Sequence, residues 1–379
     1  MREIVVVGAS AAGVAAARTL RSEGFDGTLT VVGAEDRVPY DRPPLSKQFL
    51  TGAWDAEKLA IPRPDGVTWR LGSRATVLDP ERRRVTLGDG SHLGYDGLVI
   101  ATGVASRTLP FSRGLAGVHV LRTLDDAEAL RAGMLASGSL VVVGAGFLGA
   151  EAAAVARELG LAVTLVDLQP APMIRPLGPL VAERLRHLHT EAGVDLRMGT
   201  AVRELHGTDH VTAVELTDGS VIPTAAVLVA AGAVPATGWL EGSGLPLGDG
   251  VECDAYCRAA PGIVAAGDVA AWLHPDLGRR IRLEHRMNAT EHAAAAARTL
   301  LGRGRPFAPV PYFWTDQYHV RIQAYGTWDA SIEPDFAHGA AGDDRFVLVQ
   351  RRDGRITAAL GWNAPREIRT LRAAIGTTG

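Results

Sequence analysis

One strand–turn–helix pattern occurs twice in this chain, and no other feature limits its fold so strongly. The first copy is Ile4-Val5-Val6-Val7-Gly8-Ala9-Ser10-Ala11-Ala12-Gly13, which runs into helix-forming residues 14–20. The second is Leu140-Val141-Val142-Val143-Gly144-Ala145-Gly146-Phe147-Leu148-Gly149, followed by an expected helix over 150–159. A β-branched strand that turns sharply into a helix is the opening unit of a Rossmann-type fold. The turn aims helix N-terminal amides at a pyrophosphate, where negative charge is favoured. Gly8 permits the sharp turn, and Gly13 lets helix and strand approach closely. Ser10 replaces the usual middle glycine; it is small, and its hydroxyl can donate to a phosphate. The second copy keeps Gly144, Gly146 and Gly149.

Each copy is followed by a second strand that leads to an acidic residue. Residues 29–32 precede Glu35, and residues 162–166 end at Asp167. A carboxylate there grips an adenosine ribose. Two such units in one chain mean two dinucleotides, and a bound flavin with a nicotinamide hydride donor is the obvious pair. Asp167 accepts from both ribose hydroxyls and repels a 2′-phosphate, so NADH is expected over NADPH.

The bulk numbers narrow the class. A length of 379 residues suggests two or three domains, and 47% hydrophobic with 21% charged residues describes an ordinary soluble protein. Net charge is −3, so no nucleic-acid or membrane partner is expected. No apolar run reaches transmembrane length, and Met1-Arg2-Glu3 leads straight into a core strand. A signal peptide therefore has no room, and the expected location is cytoplasmic. The two cysteines, Cys253 and Cys257, are too few for a disulfide framework and are read as structural. No metal site is expected. The only lysines are Lys47 and Lys58, so a lysine inside a motif carries unusual weight.

Lys47 lies in such a motif. Pro43-Pro44 stops any preceding helix, and Leu45 onward can start one with Ser46 near its N-terminus. This elbow would present Arg42 and Lys47 to an anionic, electron-accepting cofactor. The run Tyr40-Asp41-Arg42-Pro43-Pro44-Leu45-Ser46-Lys47, after an N-terminal dinucleotide turn, resembles the ferredoxin-reductase family. These FAD-containing, NADH-dependent reductases feed bacterial monooxygenases and Rieske-type dioxygenases, and belong to the flavoprotein superfamily of glutathione reductase. The likeness covers nearly the whole chain.

The resemblance implies an α/β fold of two Rossmann-like dinucleotide-binding domains, the second inserted in the first, plus a small C-terminal α+β domain. Residues 1–113 and 236–308 would bind FAD, 114–235 would bind NAD(H), and 309–379 would form an interface domain. Residues 104–117 read as a linker, and Pro235 marks the return crossing. The implied FAD contacts are Gly8, Ser10, Ala11, Ala12, Gly13, Glu35, Arg42 and Lys47. Further on come the Ala75 backbone at adenine, Ala101, Thr102 and Gly103 at the end of a returning strand, and Arg122. Arg122 would otherwise pair with Asp125 or Asp126. Gly267 and Asp268 would reach the ribityl chain, with a helix starting after them to face the pyrophosphate. Arg286, in an expected helix over 282–298, stands where relatives carry an aromatic or aliphatic residue; it would put a cation by the flavin or snorkel to solvent. The implied NAD contacts are Gly144, Gly146, Phe147, Leu148, Gly149, Asp167 and Gly232. Lys47 and Glu151 match a superfamily lysine–glutamate pair beside the flavin, unless Glu151 simply caps its helix. Trp314 resembles an aromatic residue that covers the nicotinamide, unless it is an ordinary core tryptophan. These three carry the expected catalysis.

Superfamily members that reduce disulfides or peroxide place a cysteine near the position of residues 45–47, and this chain has none there. Thiolate chemistry needs the thiol, so electrons must leave the flavin directly. An iron–sulfur ferredoxin is the expected acceptor, steered by Arg279, Arg280 and Arg286. The alternatives are a peroxide-forming NADH oxidase and a redox-sensing flavoprotein resembling apoptosis-inducing factor. A monomer or weak dimer is expected, without the long C-terminal extension of some relatives.

Overall fold

The computed structural model describes residues 1–112, 114–329 and 331–375. Expected boundary residue 113 and the last four residues lie outside the described residues. Two parallel sheets repeat one architecture. In the first, Glu3–Val7 lies between Thr28–Val32 and Gly97–Ile100, parallel to both, with Thr68–Arg70 beyond one and Ile263–Ala265 beyond the other. In the second, Ser139–Val143 lies between Ala162–Asp167 and Val227–Val229, again parallel to both. Strands covered on both faces read as continuous apolar runs, as these do. In each sheet the chain order reverses beside the central strand, so a crevice opens at its carboxyl end. Both glycine turns sit at such a switch point.

Each unit also carries a small antiparallel sheet. Ala75–Asp79, Arg84–Leu87 and His92–Gly94 form one; Val202–His206, Ala213–Leu216 and Val221–Pro223 form the other. The Asp-Gly turns at 89–90 and 218–219 each lead into a short third strand that the sequence pattern does not signal. The two crossings are not free linkers. Val104–Ser106 and Ala233–Pro235 pair as an antiparallel ribbon. The last region is a five-stranded antiparallel sheet from Tyr312–Gln317 to the edge strand Asp335–His338, closed by the helix Pro365–Leu371. Its inner residues Ile322, Phe346, Leu360 and Trp362 share a core with Ala150, Leu177, Val181 and Leu185 of the second unit. Among the described residues, no helix is long and apolar enough to cross a membrane.

Several expected elements differ. After Gly267-Asp268 there is no helix: a three-residue 3-10 turn, Gly267–Val269, passes into the strand Ala270–His274. Trp272 on that strand is fully buried against Phe307 and His292, and that anchor decides the local structure. The helix expected over 282–298 begins only at Arg286, with His285 at its N-cap. It packs on Ala11–Ser22 through the small residues Ala15, Ala16, Ala289 and Ala293. The helix that follows the second glycine turn starts at Phe147 rather than 150. The helix Ile174–Glu191 is broken at Gly178 (φ +75°) before Pro179. Pro43–Ser46 is a 3-10 turn and Gln48–Thr51 one α turn, with Lys47 at the break between them.

Candidate functional site: one cavity beneath two glycine turns

A single cavity of about 1430 Å³ runs between the two glycine turns and under the strand Tyr312–Gln317. Its walls explain the choice of glycine. A side chain at Gly8 (φ +118°) would place Cβ 2.1 Å from the Ala101 carbonyl oxygen, and one at Gly144 (φ +109°) would sit 2.3 Å from that of Ala230. Gly13 and Gly149 are closed by the carbonyl oxygens of Gly8 and Gly144, at 1.7 and 1.8 Å. Gly146 is different: nothing lies within 4 Å of a Cβ there, because it faces the cavity. Gly13, Gly144 and Gly149, and likewise Gly267, therefore stand behind the wall, while Gly8 and Gly146 line it.

The donor groups suit an anion. The helices Ala11–Ser22 and Phe147–Glu158 begin at Ser10 and Gly146 without a side-chain cap and without an acidic residue in the first turn. By contrast, Leu124–Ser137 carries a complete capping box from Thr123 and Asp126, leaving Asp125 to pair with Arg37. Helix N-termini left open toward a cavity are satisfied by bound phosphates. Ser10, Ala11 and Ala12 line the cavity at one such end, Phe147 and Leu148 at the other. The buried Nε–H groups of Arg42 and Arg122 also find no acceptor among the described residues. This donor set fits two dinucleotides sharing one space.

The remaining expected contacts fall into place unequally. Ala75, Ala101, Thr102, Gly103 and Gly232 all line the cavity. Glu35 does too, but its carboxylate accepts from Arg42, at 2.8 Å, and from the Tyr40 hydroxyl. Arg122 uses neither Asp125 nor Asp126 for its side chain: its guanidinium donates to Asp268 across 3.1 Å. Burial, with Arg42 nearby, pushes that guanidinium's pKa down. Asp167 does not line the cavity. Its carboxylate accepts from the backbone N–H of Ala145 (2.6 Å) and of Gln169 (2.7 Å), so it braces the second turn from behind. Arg286 lines the cavity, where its guanidinium pairs with Asp41 on the elbow and donates to Thr290. Arg280 pairs with Glu252, and neither it nor Arg279 lines the cavity.

The junction between the two halves is ionic and buried. Lys47 Nζ lies 2.7 Å from Glu151 Oε2, with side-chain exposures of 12% and 7%. Ser46 Oγ donates to the same oxygen at 2.6 Å, and Thr315 Oγ1 donates to Oε1 at 2.8 Å. Three side chains from two distant segments thus converge on one carboxylate. Ser46 and Thr315 were legible only as neighbours of Lys47 and Trp314. Trp314 is half-buried on the cavity wall and stacks on Tyr312, ring centroids 5.9 Å apart. Phe313 meets Phe147 at 4.9 Å and His285 at 5.5 Å, an aromatic chain the sequence does not announce. Burial pushes the His285 pKa down to about 4.

Among the described residues no cysteine lines the cavity. Cys253 and Cys257 are buried and unbridged, and burial pushes the Cys253 thiol up to about 12, which keeps it unreactive. Glu204, His206 and Glu215 cluster on the outer hairpin sheet, away from the cavity, and Arg203 shares Glu215.

Known proteins resemble this chain throughout its length. Residues 2–298 match the pyridine nucleotide-disulphide oxidoreductase model and residues 312–379 the reductase C-terminal model. Rhodocoxin reductase of Rhodococcus erythropolis is 37% identical over 383 residues, spanning 99% of this chain and 89% of that protein. A ferredoxin–NAD(P)+ reductase of Sphingomonas sp. is 36% identical over 96% of this chain and 90% of its own length. The covalent putidaredoxin reductase–putidaredoxin complex contains a chain that superposes with TM-score 0.94 at 33% identity, covering 99% of this chain and 93% of that one.

Proposed function

Because this chain belongs to the pyridine nucleotide-disulphide oxidoreductase family and carries the reductase C-terminal unit, we propose that it is an FAD-dependent NADH:ferredoxin oxidoreductase serving an oxygenase. The observation that carries this reading is the single cavity reached by both glycine turns, with no cysteine on its wall among the described residues. FAD, when bound, supplies a ring that accepts two electrons as a hydride and releases them one at a time. Residues 1–113 and 236–308 hold it, 114–235 hold NADH, and 309–379 cover the junction. Gly8, Ser10, Ala11 and Ala12 cradle one pyrophosphate, and Gly146, Phe147 and Leu148 the other. Arg42, Arg122 and Asp268 hold the flavin side.

Lys47 places positive charge where the two cradles meet, so negative charge developing there is stabilised. Glu151 fixes that ammonium and presents its carboxylate to the nicotinamide carboxamide. Trp314, set against Tyr312, offers a flat wall that holds the nicotinamide in line and excludes water. Asp167 shapes the turn for the unphosphorylated ribose of NADH. Without a thiol relay, electrons leave to a docked one-electron carrier, an iron–sulfur ferredoxin. The chain acts in the cytoplasm as a monomer or weak dimer.

An anaerobic titration tests this. NADH should bleach the flavin absorbance of the yellow protein, and oxidised ferredoxin should restore it. Bleaching reversed by oxygen alone, at the speed of turnover, would point instead to an NADH oxidase.

A further inference from the structure

The Glu151 carboxylate does not end the polar network at the junction. Thr315 Oγ1 accepts from Gln317 Nε2 at 3.3 Å, and Gln317 Oε1 lies 2.9 Å from His189 Nε2. His189 Nδ1 lies 3.0 Å from the Tyr318 hydroxyl. Thr315, Gln317 and His189 are all essentially without solvent exposure, inside an otherwise apolar core. Buried polar groups are tolerated there only when every one is satisfied.

The donor directions follow from one fact. An ionised carboxylate only accepts, so the Thr315 hydroxyl must donate to it. Its oxygen is then free to accept from the Gln317 amide. That turns Gln317 Oε1 toward His189, so Nε2 must carry the proton and Nδ1 must accept from Tyr318. Burial holds His189 neutral, its pKa near 4, which this tautomer requires. Every donor from Tyr318 inward thus points at Glu151.

We propose that Thr315, Gln317 and His189 are positioning residues for Glu151: a one-way hydrogen-bond chain that locks the carboxylate from behind while Lys47 and Ser46 hold its other oxygen. The chain couples the register of the C-terminal sheet, which also carries Trp314, to the angle at which Glu151 meets the nicotinamide. This rests on the reading of Glu151 as part of the hydride-transfer junction.

The test uses the FAD-loaded full chain. Thr315→Val keeps the side-chain volume and removes the hydroxyl. It should lower the limiting rate of flavin reduction by NADH about tenfold, the size of one lost hydrogen bond to a charged group. Flavin content and reoxidation by ferricyanide should match the wild type, and Thr315→Ser should recover the rate to within about twofold. In 15N-histidine-labelled wild-type protein, His189 should be the neutral Nε2–H tautomer, shifting to a mixture in Thr315→Val. A Val variant reduced at the wild-type rate, a Ser variant as slow as Val, or a wild-type His189 protonated on Nδ1 would overturn the inference. If NADH reduces no variant and not the wild type, the reductase reading fails, and the His189 tautomer still decides whether the chain exists.

Discussion

Lys47 Nζ stands 2.7 Å from Glu151 Oε2, joining the elbow of the first nucleotide unit to the helix that opens the second. Both side chains are largely removed from water, so the pair is strongly asymmetric to mutation. Breaking one partner of a buried pair leaves an uncompensated charge and costs about 3–5 kcal/mol, while replacing both by apolar residues is often neutral. Lys47→Ala should therefore lower the melting temperature more than Lys47→Met combined with Glu151→Leu. Both variants should reduce their flavin with NADH at least about tenfold more slowly in stopped flow, since the ammonium is gone in each. A Lys47→Ala rate equal to wild type would remove the lysine from the mechanism.

The two kinds of glycine at the turns should separate stability from binding. Gly144→Ala drives Cβ to 2.3 Å from the Ala230 carbonyl oxygen in a left-handed backbone, so the variant should melt early or fail to fold. Gly146→Ala places its methyl group where nothing lies within 4 Å among the described residues. It should melt like wild type yet show a raised KM for NADH, because its methyl group enters the cavity.

Asp167 should act through the turn it braces. Asp167→Ala frees the Ala145 and Gln169 amides. The KM for NADH should rise about tenfold, since the turn loses the charged acceptor that braces it, and the preference over NADPH should narrow, since the carboxylate charge that disfavours a 2′-phosphate is gone. Unchanged ratios of kcat/KM for the two coenzymes would move specificity elsewhere.

Three buried histidines predict an acid-side loss of stability. Burial lowers His189 and His285 from 6.5 to about 4 and His292 to about 3. Their folded pKa values lie below the unfolded value, so the unfolded state binds more protons between these pH values. Stability is then full above about pH 6.5 and falls as pH drops toward 4. His292, packed against Phe307 and Trp272 with neither ring nitrogen bonded among the described residues, is the cleanest probe. His292→Phe should flatten the pH dependence of the urea midpoint between pH 7 and 5. An unchanged slope would assign the effect to other groups.

How legible was all this? The glycine turns announced both sheets because strand, turn and helix are contiguous and locally dictated. The Lys47–Glu151 pairing was expected from the resemblance to a superfamily lysine–glutamate pair; composition alone marked only Lys47, one of two lysines in a chain that otherwise uses arginine. What the sequence hid was long-range. Gly267-Asp268 can open a helix or a 3-10 turn, and only the burial of Trp272 against Phe307 decides. Arg286 finds Asp41 through folding, not spacing. Thr315, Gln317 and His189 carry no motif, and their order appears only when the last sheet packs on the second unit. Asp167 was read as facing a ribose, yet its oxygens turn toward the backbone behind it.

The central claim is that a flavin and a nicotinamide meet in this one cavity and that electrons leave without a thiol. The most direct measurement is an anaerobic double-mixing experiment: NADH first, then excess oxidised ferredoxin, with protein that has been treated with a thiol-alkylating reagent. Bleaching of the flavin band followed by reduction of two ferredoxins per NADH, alkylated or not, is the predicted result. A colourless protein that takes up no flavin, or ferredoxin reduction abolished by alkylation, would contradict it.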